Sequence, residues 1–347
     1  MHLLLAYLAV FGVALAASLA GTPAARALAR RWGVLDQPSH RKVHRNPTPL
    51  LGGLAVYGAF WLALLLFSRL EIAAPDVFLP AATRELGAIF LASLTLLGMG
   101  FLDDKYKHTF GGVPPHAKLA GQLLAAAVTL LGGIQFHVFG NQLADAGLTV
   151  LWIIGISNAI NFLDNMDGLS AGATSIAALF FALLAALNGQ ILVTLMALAL
   201  AGACFGFLRY NFNPASVFMG DAGTLFMGFL LAVIGLKLNV SGPAWWSFIL
   251  VAVVLALPIF DTSLVTAHRL LTGRRIAEGG KDHTSHRLVK LGLPHKWAVL
   301  VLYAASIAAG SLAVTMSQGG QALTLVLVLP ALGVALTAGL FLARVET

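Results

Sequence analysis

Ser157-Asn158-Ala159-Ile160-Asn161-Phe162-Leu163-Asp164-Asn165-Met166-Asp167-Gly168-Leu169-Ser170-Ala171-Gly172 sets three amides and two carboxylates between the apolar runs 148–156 and 173–187. A helix that served only as core would carry Leu, Ala and Val there, because amides and carboxylates are costly to dehydrate. The stretch marks a polar site inside an apolar chain, and the sequence around it settles the fold class.

Of 347 residues, 59% are hydrophobic and 10% are charged, and the mean hydropathy is +0.88. That is far more apolar than a soluble globular protein of this size, so an all-α polytopic membrane protein is expected. Apolar windows long enough to cross a bilayer fall at roughly 2–22, 50–68, 86–102, 119–133, 148–163, 169–187, 191–208, 224–240, 244–268, 296–316 and 321–343, about eleven transmembrane helices in one integral-membrane domain, 1–347. The first window lacks a basic leader and is followed by Arg26, Arg30 and Arg31, which fits a first span with its N-terminus outside rather than a signal peptide. Alternation then puts 18 of the 21 Lys and Arg residues in inside loops and the C-terminal tail, leaving Arg69, Arg84 and Lys237 outside. The net charge of +7 therefore belongs to a cytoplasmic membrane face and not to nucleic acid. Cys204, the single cysteine, excludes an internal disulfide and reads as a small core residue.

The carboxylates share the asymmetry. Asp103, Asp104, Asp164, Asp167, Asp221 and Asp261 all fall at or near inside helix ends. Asp103-Asp104 reads either as a helix end paired with Lys107 or as a metal or general-base site, since adjacent carboxylates repel unless a cation or proton lies between them. Asn158, Asn161, Asp164 and Asp167 recur every three residues. Such spacing fans over half of an α-helix and aligns on a 3₁₀ segment, so a helix end that tightens or breaks at Gly168 is expected. Gly220-Asp221-Ala222-Gly223, before an apolar run, is a turn with an N-cap, or equally a place for a hard cation beside backbone N–H groups that face phosphate. The last inside loop holds Lys281, His283, His286 and Arg287, and the first holds Ser39 to Arg45 with Lys42 and His44. Both are attractive to lipid head groups or to a diphosphate.

Together these motifs resemble the polyprenyl-phosphate N-acetylhexosamine-1-phosphate transferases, of glycosyltransferase family 4 type. The resemblance runs from about Arg41 to Leu288 and rests on Arg41-Lys42-Val43-His44 with Pro47, Pro49 and Gly52-Gly53; Asp103-Asp104 with Lys107; Asn158 to Leu169; Asn213-Pro214 through Gly228; Asp261-Thr262; and His283 to Leu288. It implies transfer of a sugar 1-phosphate from a UDP-N-acetylhexosamine to polyprenyl phosphate at the cytoplasmic face of a bacterial inner membrane. Mg²⁺ is the implied ion, Mn²⁺ its substitute, and a homodimer the candidate assembly. Catalytic roles fall to Asp103, Asp104, Asp164 and Asp167, metal ligation to Asp221 and Asn161. Substrate contacts fall to Lys42, His44, Lys107, Lys118, Asn158, Asn165, Asn213, His283, His286 and Arg287. Two departures stand out: Asn165, where that family usually has Gly, and His283-Thr284-Ser285-His286, where it commonly has three His. The match is closer to the GlcNAc-1-phosphate branch than to the phospho-MurNAc-pentapeptide branch, which remains the alternative donor class. Two rivals predict other patterns: an intramembrane aromatic prenyltransferase wants a second acid-rich motif of similar spacing, and a secondary transporter of an anionic solute wants ionisable groups near mid-bilayer.

Overall fold

The structure, a computed structural model, describes residues 2–38, 46–69, 80–275 and 280–345. Lys42 and His44 lie outside the described residues. The helices are α1 (His2–Trp32), α2 (Gly52–Arg69), α3 (Pro80–Phe110), α4 (Pro115–Leu131), α5 (Gln142–Leu163), α6 (Leu169–Leu187), α7 (Ile191–Asn211), α8 (Gly220–Lys237), α9 (Ala244–Val254), α10 (Ala256–Leu271), α11 (Thr284–Lys290) and α12 (His295–Ala343). Every expected apolar window falls on these helices, 244–268 on the pair α9–α10 and both 296–316 and 321–343 on α12. Among the described residues, seven are long and apolar enough to cross a bilayer, or eight if the bent pair α9–α10 is one span. The expected all-α chain also carries a small antiparallel ladder, β1 (Leu35–Asp36) with β2 (Thr48–Pro49).

One expected window hides a break and a second break falls between two windows, each with a clear cause. The 244–268 window is a pair bent by 74°. Pro258 has no N–H to give the Val254 carbonyl, so the helix cannot run through Leu255 unbroken. The 295–343 span carries Gly320 at φ 79°, a left-handed conformation that glycine adopts without steric cost. Arg287 Nη1, just before α12, donates to Leu342 O at 2.7 Å. A straight helix would put His295 and Leu342 roughly 70 Å apart at 1.5 Å per residue. The chain therefore reverses at Gly320, and α12 is a helical hairpin whose two ends meet at α11.

The molecule is built around α8, which is buried along nearly its whole length between α3 and α5. Tight approach of α3 is set by Gly100, where an added Cβ would lie 2.3 Å from Ala222 N. Small residues at such crossings let backbones close up, which matters where lipid removes the hydrophobic drive for helix association. Cys204 is buried in this core, its Sγ 3.4 Å from Met227 Sδ, as a small core residue should be. Ahead of α8, Gly52 N donates to Phe218 O at 3.0 Å, Gly53 N to Met219 O at 2.9 Å and Phe218 N to Pro49 O at 2.8 Å. The end of the first loop is thereby stitched to the segment that enters α8.

Gly100→Ala should lower the melting temperature of the detergent-solubilised protein, by overpacking that costs about 1–3 kcal/mol. Gly98→Ala, in the same helix with nothing within 4 Å of an added Cβ, is the control and should leave it unchanged or higher. Equal melting temperatures for the two variants would contradict the α3–α8 contact.

Candidate active site

Three carboxylates converge where α3 meets the first turn of α8. Asp103, Asp104 and Asp221 each offer an oxygen, and these atoms lie within 4.8 Å of one another. Asp103 and Asp104 do not end α3 as expected, since the helix continues to Phe110. Consecutive helical residues point about 100° apart, and the two acids have separate partners. Asp104 turns to α8, accepting the Asp221 N–H at 3.0 Å through Oδ1 and the Ala222 N–H at 3.1 Å through Oδ2. It is the cap of α8, satisfying N–H groups that a helix start leaves orphaned and matching the positive end of the helix dipole. Gly220 makes the approach possible, because a Cβ there would lie 2.4 Å from Asp104 Oδ2 and 2.3 Å from Leu50 O. Asp221 is thus not the N-cap of its own helix but a side chain of its first turn.

Asp103 faces the other way. Its Oδ1 accepts the Val113 N–H at 2.7 Å, and its Oδ2 lies 2.8 Å from Lys118 Nζ. The same ammonium is 2.8 Å from Asp221 Oδ2, so one lysine at the start of α4 bridges acids on α3 and α8. Lys107 does not form the local helical pair; its ammonium lies 3.9 Å from Asp221 Oδ1. Two ammonium groups therefore oppose three carboxylates. The residual negative charge and the hard oxygen donors fit a divalent cation such as Mg²⁺ or Mn²⁺, with Asp221 and Asp103 best placed to hold it.

The break after α5 frames this cluster. Asp164 N–H donates to Asn161 O at 3.2 Å and Gly168 sits at φ 80°, so the helix tightens and ends where the three-residue spacing placed it. Asn161 Nδ2 donates to Thr224 Oγ1 at 2.7 Å, one turn from Asp221. Asn158 pairs with Gln122 through two amide hydrogen bonds of 3.0 and 3.1 Å. Asp164 accepts from the Ser170 hydroxyl. Burial, first among the causes, drives its carboxyl up to about 6, opposed by the Ser170 hydroxyl and reinforced by Asp221. Asp167 Oδ2 accepts from Asn213 Nδ2 at 3.0 Å and from Ala215 N at 2.9 Å. It pins the segment between α7 and α8.

The last loop packs on the same end of α5. Asn165 Oδ1 accepts from the Ser285 hydroxyl, so the two unusual positions of the sequence are in direct contact. His283 Nδ1 lies 2.8 Å from Asp261 Oδ2. Burial, with His283 next, pushes His286 down to about 4, so it is neutral at pH 7. Arg287 is fully buried, and its Nη1 donates to Leu342 O and Val345 O at 2.7 and 2.9 Å. It holds the C-terminal end of α12 where a phosphate contact was expected. Beside it Arg269 forms a bidentate pair with Asp282, both bonds at 2.8 Å. Burial would raise Asp282, but the guanidinium hydrogen bonds hold it down at about 2. Sequence reading missed Gln122, Thr224, Ser170 and this Arg269–Asp282 pair. Only Gln122 left a trace, one helical turn after Lys118 and so on the same face of α4.

The chain is similar in sequence to known proteins. A sequence model described as glycosyl transferase family 4 matches residues 86–239. The probable undecaprenyl-phosphate N-acetylglucosaminyl 1-phosphate transferase of Bacillus subtilis is 33% identical over 302 residues, covering 84% of this chain and 80% of that protein. The decaprenyl-phosphate N-acetylglucosaminephosphotransferase of Mycolicibacterium smegmatis is 33% identical over 316 residues, covering 80% and 74%. A phospho-N-acetylmuramoyl-pentapeptide-transferase of Streptococcus pneumoniae is 32% identical over 280 residues, covering 75% and 81%.

The position of Asp164 predicts a pH signature for the metal-free protein. Its folded pKa of about 6 exceeds the ordinary 3.8, so the folded state binds the proton more tightly. The contribution to stability is full below about pH 4 and is lost as pH rises through about 6. Asp164→Asn should remove that loss, and its melting temperature should fall less than that of the wild type across this interval. Parallel curves would show that Asp164 titrates normally.

Proposed function

Because this chain belongs to glycosyl transferase family 4, we propose that it transfers N-acetylglucosamine 1-phosphate from UDP-N-acetylglucosamine to a polyprenyl phosphate, giving a polyprenyl-diphospho-sugar and UMP. Relatives named for N-acetylglucosamine transfer match 84% and 80% of the chain, and the pentapeptide transferase matches 75%, which favours the first donor. The observation that carries the reading is Lys118, an ammonium bridging two carboxylates from different helices at 2.8 Å each. Such a group serves negative charge that arrives from outside, because a phosphate can displace either acid from it.

An oxygen of the acceptor phosphate attacks the β-phosphorus, the bond from that phosphorus to the bridging oxygen breaks, and its electron pair leaves with UMP. A phosphomonoester has its second pKa near ~6 and is largely ionised at neutral pH, so no strong base is required. Asp103 positions Lys118 and the acceptor, while Lys118 and Lys107 offer charge to the phosphates. Asp104 keeps the first turn of α8, and with it Asp221, in place. Mg²⁺ held by Asp221, Asp103 and the Asn161 amide oxygen would neutralise the diphosphate and the leaving UMP. Asp164 and Asp167, on the pinned α5–α6 turn, form the platform for the nucleotide. The excess of Lys and Arg in the alternate loops supports a bacterial cell membrane with these helix ends on the cytoplasmic side.

Purified protein given Mg²⁺, UDP-N-acetylglucosamine and undecaprenyl phosphate should release UMP and form lipid-linked sugar. A preference for the UDP-N-acetylmuramoyl-pentapeptide would move the chain to the other branch. Asp221→Asn should lower turnover at least about 100-fold with the melting temperature retained. Near-normal turnover in that variant would sink the role given to Asp221.

A further inference from the structure

Tyr303 is a phenol that the transfer chemistry leaves unused. It lies on α12 and packs on an apolar cluster that includes Leu163, Met166, Leu169 and Leu302, a setting that calls for no hydroxyl. The hydroxyl donates to the Gly168 carbonyl, on the turn between α5 and α6. That carbonyl already accepts the Gly172 N–H at 2.9 Å, so the start of α6 is complete without the phenol. The close approach needs Gly172, where an added Cβ would lie 1.9 Å from the hydroxyl oxygen. From the other side the Gly168 N–H donates to Asn211 Oδ1 at 3.1 Å, and Asn211 Nδ2 donates to Val217 O at 3.0 Å. Both backbone groups of one glycine are therefore gripped by side chains, one from α12 and one from α7. Asp167 precedes that glycine, and Ser170, which donates to Asp164, follows it by two residues.

We propose that Tyr303 is a positioning residue, which holds Gly168 from α12 and so sets Asp164 and Asp167 in place for the nucleotide. This deepens the transferase reading and rests on it. Gly168 sits at φ 80°, and glycine is the residue whose backbone rotates most freely. A turn that swings about it carries both acids along. The phenol acts through the turn and not on the substrate: it ends that freedom, so the acids meet their ligand without first being ordered. The α12 hairpin thereby bears on the donor site through a backbone contact.

The test joins amide hydrogen exchange to steady-state kinetics on the full chain in detergent. Tyr303→Phe keeps the ring and loses the hydrogen bond. Exchange over residues 166–172 should speed up about three- to tenfold, as for the loss of one hydrogen bond. KM for the UDP-sugar should rise by a similar factor, with KM for the polyprenyl phosphate and the affinity for Mn²⁺ unchanged. A bond that only stabilised the fold would lower the active fraction, and with it kcat, and would leave both KM values where they were. Gly172→Ala, which displaces the phenol from the other side, should show the same split. Adding Tyr303→Phe to it should change little more, as for two residues acting through one contact. Unchanged exchange in Tyr303→Phe, an unchanged donor KM, or a rise in both KM values would each overturn the proposal. Tyr303→Phe decides it even if Gly172→Ala fails to fold. Absence of UMP release from the wild type with every UDP-N-acetylhexosamine would overturn the transferase reading instead, and hydrogen exchange would still decide whether Tyr303 holds the turn.

Discussion

The carboxylate of Asp104 resting on the first N–H groups of α8 is the contact on which the rest of the site depends. It joins the C-terminal part of α3 to the start of the most deeply buried helix and places Asp221 opposite Asp103. An acid inside an apolar bundle is expensive, and here the cost is offset by two backbone N–H groups and the positive helix end. The neighbouring acid could not do this job, because it points to another face of α3, where Lys118 and Val113 N–H receive it. One Asp-Asp pair thus divides into a member that caps α8 and a member paired with Lys118.

The same division runs through the surrounding polar groups. Asp167, Asn213, Asn158 and Gln122 hold segments to one another. Asp103, Asp221, Lys118 and Lys107 form the charged centre. The C-terminal hairpin takes part through Arg287, which ties the end of α12 to α11 and so to the loop that bears His283 and His286. Carbonyl oxygens of Asp282, Leu342 and Val345 receive the N–H groups of Arg287 Nε and Nη1, while the buried Nη2 has no hydrogen-bond partner among the described residues.

Much of this was legible in the sequence. Acids and amides stand out where bilayer-length windows leave no reason for them, and the three-residue rhythm of Asn158 to Asp167 announced the helix break that occurs at 164–168. Roles were harder to read. Spacing along one helix cannot show that Asp104 caps α8, that Arg287 turns to the chain end, or that Lys107 reaches across to Asp221, since each depends on a helix more than fifty residues away in sequence. The bend at Leu255 was hidden because hydropathy is blind to hydrogen-bond continuity, although Pro258 carried the clue. The pairing of Asn165 with Ser285 was equally invisible, even though both positions stood out as unusual.

The claim that Asp103 and Asp221, with Lys118, form the cation-binding and phosphate-binding centre is tested most directly by Mn²⁺ binding to the purified protein, followed by electron paramagnetic resonance. One bound ion per chain is expected, weakened at least about tenfold by Asp221→Asn, because a ligand to a hard cation is lost. Asp167→Asn, in which an oxygen still pins Asn213 and Ala215, should bind like the wild type. Wild-type affinity in Asp221→Asn, or loss confined to Asp167→Asn, would contradict the placement of the centre between α3 and α8.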